Sequence, residues 1–482
     1  MMSVAQAHAA LAADGACRLL GNGAAQFTTV SIDTRTLAAG ALYVALRGER
    51  YDGHDFAAAA AQRGAVALLV ERELPAGTAG ALPQLVVGDS RDAFGRLAAA
   101  WRRRFTLPLI AVTGSNGKTT TTQMIAAVLA AAYGERDGEP CWFATRGNRN
   151  NEIGVPLMLL ELRPGHRAAV LELGMNHPGE IERLAGWARP DVALVTNAQR
   201  EHQEFLDSVA ATARENGAVI AALAPGGTAV FPADDACAPI WRERAGARRI
   251  VDFALDGMAA VCGTVELGPQ HCGLHLRTPA GPIAVELPVA GLHNARNALA
   301  ASAACIAAGV APAAVARGLA AFAPVTGRGT RRRAADGAVL IDESYNANPD
   351  SVRAAVDLLA QQPGPRVLVL GDMGEVGARG PEFHDEVGAY ARERGVDLLL
   401  ALGEQSARAA RAFGPGARHF ATIDALIEAA QAAARPATPG GPPATILVKG
   451  SRFMRLERVV AALAPPGGGA AAAAGHGSEQ HA

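Results

Sequence analysis

Short apolar runs, most of them closed by a Gly, Asp, Asn or Thr, recur along this chain and alternate with Ala-rich stretches whose apolar residues fall at helical spacing. In residues 1–85 the pieces "FTTVSIDT", "GALYVAL", "AVALLV" and "PQLVV" predict a small α/β unit. In 86–323 the runs "LPLIAVT", "AAVLELG" and "PDVALVTN" have the continuous apolar character of parallel strands buried on both faces. Within that zone "CGLHLRTPAGPIAVELPV" switches to alternation about a Pro/Gly turn, which predicts an edge hairpin. In 324–462 the runs "AVLID", "RVLVLGD", "DLLLALG" and "TILVKG" are each followed by a helical pattern, as in a second doubly wound sheet. The remainder, 463–482, is Gly/Ala-rich and reads as a disordered tail. The expected fold class is α/β in three domains with a tail.

Composition narrows the picture. Lys and Arg (45) nearly balance Asp and Glu (46), so no global field draws the protein to nucleic acid or an anionic membrane. The six cysteines are scattered without a C-x-x-C, which fits buried spectators in a reducing compartment. The N-terminus lacks a positive start before an apolar run, so no signal peptide is read there. Ala298 to Ala316 carries no charge, but it is Ala-rich with Gly309 and Pro312 inside; two packed soluble helices fit it better than a membrane span. A cytoplasmic monomer is expected.

Chemistry collects at strand ends, where open parallel sheets bind ligands. The segment "LIAVTGSNGKTTTTQM" runs from a strand into a Gly-rich turn ending in Lys118-Thr119. It is shorter than G-x-x-x-x-G-K-[ST], since Val112 stands where the first Gly would fall, yet each working part is present. Gly114 and Gly117 free the backbone, N–H groups at the start of the following helix face the phosphates, Lys118 neutralises charge, and Thr119 offers a hydroxyl to Mg²⁺. A plain strand-to-helix turn is the bland alternative. Glu172, closing its own strand, suits a second oxygen ligand of the same ion or a solvent-facing charge. His202 alone fits an ordinary surface or core histidine as well as a ligand. The basic run Arg331–Arg333 reads as a solvated face, and "GDMGEVG" lacks dinucleotide-site spacing.

Taken in order, "TGSNGKTT", "LELGMNHPGEIERL", "PDVALVTNA", "GLHNARNALAA", "TGRG", "DESYNANPDSVRAA", "VLGDMGEVG" and "LVKGSRFMRLE" resemble the Mur ligases, the ATP-dependent amide-forming enzymes of peptidoglycan precursor synthesis. The short loop is that family's own form of the phosphate loop. "SIDTRTLAAGALYVALRGERYDGHDF" resembles the uridine-diphosphate-binding module of its two later ligases, while "GMNHPGEIE" and "YNANPDS" are similar to the member that adds the terminal dipeptide. The comparable strand end reads "ALGEQS" rather than the D-N-P-R usual in the diaminopimelate-adding member.

The resemblance implies UDP-N-acetylmuramoyl-tripeptide and D-alanyl-D-alanine as substrates, with ATP and Mg²⁺. It implies that Lys118 and the loop residues Thr113, Gly114, Ser115, Asn116, Gly117, Thr119 and Thr120 hold the phosphates. Thr119 and Glu172 would hold one Mg²⁺ and His202 a second. Asn294 and Asn297 would lie near adenine and ribose, and Arg328 and Asp342 would reach the nucleotide from the linker and last domain. Thr34, Arg35, Arg47 and Gly48 would meet the uridine diphosphate, and Tyr345, Asn346, Asn348, Lys449 and Ser451 would line the acceptor side. Lys118, His202 and Arg328 are the expected catalytic groups. Read without the family, Asn294 also fits a helix cap and Arg328 a surface linker charge.

One departure stands out. Many members carry a carbamylated lysine after the His as a second-metal ligand, where "ATARENGAVI" puts Asn216. A neutral amide cannot be carbamylated in that way; either Glu215 or another oxygen donor substitutes, or the second metal is held more loosely. Closure of the last domain about the Gly-bearing linker "PVTGRGT" is expected, to keep water from an acyl phosphate. The weighed alternatives are folylpolyglutamate synthase, which lacks the uridine-type module, and a nucleotide-switched binding protein.

Overall fold

The N-terminal strands β1 (Cys17–Leu20), β2 (Thr29–Ser31), β3 (Ala41–Val44), β4 (Ala67–Val70) and β5 (Gln84–Val87) form a five-stranded sheet in the order β1-β5-β4-β3-β2, parallel except for β1. The computed structural model describes residues 1–464 apart from Asp14, His202, Ala335, Ala437, Pro439 and Gly440. Helix α1 (Ser90–Arg102), capped by the Asp89 carboxylate, leads out of this sheet. It is fastened to the next unit by Trp101 Nε1 donating to Leu162 O (3.1 Å) and by buried Arg102 pairing with Asp191 (3.0 Å).

The central sheet holds β6 (Leu109–Thr113), β7 (Trp142–Ala144), β8 (Ala168–Glu172), β9 (Val192–Val195), β10 (Thr228–Val230) and β11 (Arg249–Ile250), all parallel, in the order β7-β8-β6-β9-β10-β11. Its helices are α2 (Lys118–Tyr133), α3 (Glu180–Ala188) and α4 (Val209–Asn216). Alternate residues of β6 feed opposite cores. Leu109 and Ala111 join the apolar mass shared with the N-terminal sheet; Ile110 and Val112 join the one beneath α2. Strand order reverses at β6, which therefore opens onto the crevice where α/β sheets bind ligands.

The hairpin is larger than its sequence suggested. Strands β14 (Cys272–Thr278) and β15 (Gly281–Leu287) pair around Pro279-Ala280, and β12 (Phe253–Leu255) and β13 (Val261–Leu267) extend them to a four-stranded sheet. The uncharged stretch resolves into α5 (Leu292–Ala307) and α6 (Pro312–Ala320) with a turn at Gly309, and among the described residues no helix is long and apolar enough to cross a membrane.

In the last unit, β16 (Thr330–Arg333), β17 (Val339–Glu343), β18 (Arg366–Gly371), β19 (Leu398–Leu402), β20 (Ala417–Phe420) and β21 (Thr445–Lys449) form a sheet ordered β16-β17-β21-β18-β19-β20, parallel except for β16. Helices α7 (Pro349–Ala360) and α8 (Gly380–Glu393) cover one face. The basic run corrects its sequence reading. Arg331–Arg333 is an edge strand, and Arg331 is half-buried with its guanidinium on Gln362 Oε1 (2.7 Å). Of the tail expected over 463–482, Leu463 and Ala464 are instead buried at the end of α9 (Glu457–Leu463), and 465–482 lie outside the described residues. All six cysteines are unbridged and five are buried.

Candidate active site

Parallel pairing sets the site. Glu172 lies in register with Val112, and Val195 with Thr113, so the ends of β8 and β9 flank the turn that leaves β6. In that turn Gly114 and Gly117 have φ of 127° and 82°, a region that favours glycine. A Cβ at Gly117 would also collide with Asn297 Oδ1 of α5. The loop is braced from behind by the segment after β9. Ser115 N–H donates to Asn197 O (3.1 Å), Asn116 N–H to Asn197 Oδ1 (2.9 Å), and Thr196 Oγ1 to Asn116 O (2.8 Å). Lys118 Nζ donates to Gly114 O (2.6 Å), Ser115 O (3.0 Å) and Glu201 Oε1 (2.7 Å), which folds its ammonium into the mouth of the turn.

A cleft of about 1010 Å³ runs from this loop to the C-terminal unit. It brings together Ser115 to Thr120, Glu172, Asn294, Asn297, Arg328, Tyr345, Asn346, Asn348, Lys449 and Ser451 among the residues read from sequence. Arg328 lies over Tyr345, 4.1 Å from the ring centroid, and Arg452 approaches the same ring at 5.4 Å. Lys449 Nζ donates to Asn346 O (2.9 Å) and stands 3.8 Å from Glu343. Burial pushes its pKa below the ordinary lysine range, and Glu343 pulls it back up.

Other expected residues sit elsewhere. Thr113 is buried at the loop's root, its hydroxyl donating to Asn216 Oδ1 (2.7 Å), which also accepts from Gly114 N–H (3.0 Å). Asp342 is buried. Its buried carboxylate accepts from Ser344 N–H (3.1 Å), Ser344 Oγ (2.6 Å) and Gly327 N–H (3.2 Å), so it shapes the turn that carries Arg328 and does not line the cleft. Thr34, Arg35, Arg47 and Gly48 are also outside the cleft. Arg35 is exposed and paired with Asp33 (2.8 Å); Arg47 contacts Glu71 (3.2 Å) and its carbonyl accepts from Arg91 (3.1 Å). Arg91 in turn pairs with Glu152, a residue at the cleft wall. His202 lies outside the described residues.

Among the described residues, the oxygen donors at the loop could hold one hard cation. Glu172 and Thr119 offer oxygens on adjacent elements at the loop, with Glu172 Oε1 accepting from Asn150 Nδ2 (2.8 Å). Glu215, weighed as a substitute for the missing lysine, has its carboxylate at the start of α3, where it accepts from Gly179 N–H (2.9 Å) and Ile181 N–H (3.0 Å), and the Asn216 carboxamide oxygen is engaged at the loop's root. Among the described residues no cluster of three His, Cys, Asp or Glu is arranged to hold a metal.

Sequence reasoning placed Asn197 at a strand end but passed over Gln199, Arg200 and Glu201, which follow it directly in "NAQRE". It also missed Glu343 and Arg452, each one residue beyond a motif position that was read, and Phe453, two beyond.

Switch-point loop, flanking carboxylate and facing second sheet define a phosphate-loop α/β protein whose site is shared between two units. Family models match in the same order: the Mur ligase family catalytic domain over residues 26–102, the Mur ligase middle domain over 112–305, and the Mur ligase glutamate ligase domain over 327–452. The chain belongs to the Mur ligase family. It is 41% identical over 436 residues to the UDP-N-acetylmuramoyl-tripeptide–D-alanyl-D-alanine ligase of Escherichia coli (strain K12), covering 90% of this chain and 93% of that protein. Among solved structures it is similar to MurF from Acinetobacter baumannii, with TM-score 0.85, 34% identity, and 96% and 98% of the two chains covered. It is also similar to the MurF ligase from Thermotoga maritima in complex with ADP, with TM-score 0.78, 25% identity, and 90% and 96% covered.

Proposed function

We propose that this chain is an ATP-dependent ligase that joins D-alanyl-D-alanine to the tripeptide of UDP-N-acetylmuramoyl-tripeptide through an acyl phosphate. The observation that supports it most is the single cleft in which a phosphate loop faces Arg328, Tyr345, Asn346, Asn348 and Lys449 of the C-terminal unit. The relatives' activities point to the same reaction.

A carboxylate is a poor acyl donor, because amine attack would have to expel oxide. Transfer of the ATP γ-phosphoryl group to the tripeptide's terminal carboxylate creates a good leaving group. The amine of the dipeptide then attacks the acyl carbon and phosphate departs. In this chain the loop N–H groups orient the triphosphate, and Lys118 exchanges its bonds to Glu201 and the loop carbonyls for phosphate oxygens. Arg328 brings a second positive charge from the opposite wall. Thr119 and Glu172 would hold one Mg²⁺, which supplies charge neutralisation at the phosphates when bound. Asn294 and Asn297 flank the nucleoside, and Tyr345, Asn346, Asn348, Lys449 and Ser451 bound the acceptor side. The uridine diphosphate lies along the N-terminal unit by Thr34, Arg35, Arg47 and Gly48, with the Arg91–Glu152 pair leading from there to the cleft. The enzyme works in the cytoplasm, where ATP is made.

The test is phosphate release measured with ATP alone, with UDP-tripeptide with and without D-alanyl-D-alanine, and with folate plus glutamate. Release that requires both UDP-tripeptide and dipeptide is the expected result. Release with ATP alone at the same rate, or with folate plus glutamate, contradicts the reading.

A further inference from the structure

The segment after β9 does two things at once. On one side Asn197 and Thr196 brace the phosphate loop, Gln199 N–H donates to Ser115 Oγ (2.9 Å), and Glu201 binds Lys118. On the other side, between Gln199 and Glu201, Arg200 reaches into the C-terminal unit. Its NH2 donates to Asp350 Oδ1 (2.6 Å) and Glu386 Oε1 (3.0 Å), its NH1 to Glu386 Oε2 (2.6 Å), and its Nε to Asp350 Oδ1 (3.1 Å). The backbone N–H of Arg200 also donates to Asp350 Oδ2 (2.9 Å), and the guanidinium lies 5.2 Å from the Phe383 ring centroid. Asp350 is in the first turn of α7 and Glu386 in the middle of α8, so one planar fork ties both helices to the central unit.

These charges are sheltered. The Arg200 side chain is 22% exposed and its two partners 22% and 33%. Arg353 also reaches Glu386 (3.1 Å), but it belongs to α7 and cannot tie the units together. Without Arg200, the carboxylates of Asp350 and Glu386 would lose the cation that lies between them. A second contact runs parallel to the first. Asn348, the N-cap of α7, donates from Nδ2 to Asn116 Oδ1 at the tip of the phosphate loop (2.9 Å) and accepts from Asn116 Nδ2 (3.3 Å). The turn at Gly377 packs against Gln203 and Glu204 beside it, close enough that a Cβ there would lie 3.0 Å from Gln203 O.

We propose that Arg200 is a positioning residue: clamped by Asp350 and Glu386, it fixes where the C-terminal unit docks on the phosphate loop, and so fixes the register between the phosphoryl-transfer and acceptor sides of the cleft. The inference rests on the ligase reading for its kinetic consequence, while its structural consequence needs no substrate. Arg200 itself touches no reacting atom in this scheme. It acts through a segment of five residues, 197–201, whose other side chains hold the loop and Lys118.

The test compares the full-length chain with Arg200→Met, Arg200→Lys and the charge reversal Arg200→Glu with Glu386→Arg, after thermal melting confirms that each is folded. Small-angle scattering is expected to show a larger radius of gyration for Arg200→Met than for the unsubstituted chain. The kcat for amide formation is expected to fall by ~10- to 100-fold, as a misregister of about an ångström would cause. Affinity for an ATP analogue is expected to stay within about threefold, since the loop itself is intact. Arg200→Lys, which keeps the charge but loses the fork, should fall between, and the reversal should recover part of the compaction. Superimposable scattering curves for Arg200→Met and the unsubstituted chain would overturn the proposal, as would an unchanged kcat. A drop in kcat matched by an equal loss of nucleotide affinity would also overturn it, by placing Arg200 in loop integrity alone. If the unsubstituted chain makes no amide, the ligase reading fails, while scattering still decides the clamp.

Discussion

Lys118 and Gly117 carry the heaviest individual demands. Lys118 is the cation at the mouth of the loop and holds two loop carbonyls and the sheltered Glu201 carboxylate, so its replacement removes charge and also loosens the loop. Lys118→Ala is expected to lower kcat by ~10³-fold or more with a lowered melting temperature, read from steady-state rates and a thermal melt. Gly117→Ala meets two obstacles, a positive φ and the Asn297 carboxamide. It is expected to weaken binding of an ATP analogue by at least ~10-fold in calorimetry. These residues stood out in sequence because glycine and lysine spacing between an apolar strand and a Thr-rich helix start suits a phosphate loop better than a plain turn. The surroundings of Asp342 were less legible. A carboxylate at a strand end resembles a ligand in sequence, but only the fold shows it turned toward Gly327 and Ser344. Arg200 stands at a strand end that can be read locally, but its clamp could not be, because its partners are 150 and 186 positions away.

At the level of elements, the helix α1 depends on a missing side chain. Gly95 faces the Trp187 ring of α3 so closely that any Cβ would strike it. Gly95→Ala is therefore expected to destabilise the joint between the N-terminal and central units by ~1–3 kcal/mol, seen as a lower denaturation midpoint despite alanine's better helix propensity. Helix α8 carries a pH response. His384 Nε2 accepts from Met373 N–H (3.0 Å) and its Nδ1 faces Gly380 O (2.7 Å), an arrangement that requires the neutral ring. Burial lowers its pKa from the ordinary value. An unfolded chain then binds more protons below about pH 6.5, so this contribution to stability is present above that pH and lost as pH falls toward the folded value. The thermal midpoint of His384→Gln should change less between about pH 7.5 and 5.5 than that of the unsubstituted chain. The long apolar strands were legible throughout. The short strands β7, β10, β11 and β20 were not, since two to four residues carry too little pattern to separate from a loop.

At the level of the whole molecule, the five- and six-stranded sheets, the four-stranded sheet beside them and five apolar cores among the described residues place one cleft between two units. The hinge read across "PVTGRGT" narrows in the structure. Gly327 N–H and Gly329 N–H are bound to Asp342, and Tyr345 N–H to Gly327 O, so this end of the linker belongs to the C-terminal unit and rotation must fall before it. Scattering with and without an ATP analogue and UDP-tripeptide should reveal compaction on binding; identical curves with full activity would oppose closure. The alternation of strands and helices made the three-unit plan legible, whereas the docking of the last unit rests on pairs such as Asn116–Asn348 that no local pattern announces.

The central claim is that the tripeptide carboxylate is activated by phosphorylation before the dipeptide amine attacks. Tripeptide carrying heavy oxygen in its terminal carboxylate tests this directly, by mass spectrometry of the phosphate released during amide formation. One labelled oxygen in each phosphate is the expected result. Unlabelled phosphate, with amide still formed, would contradict the account.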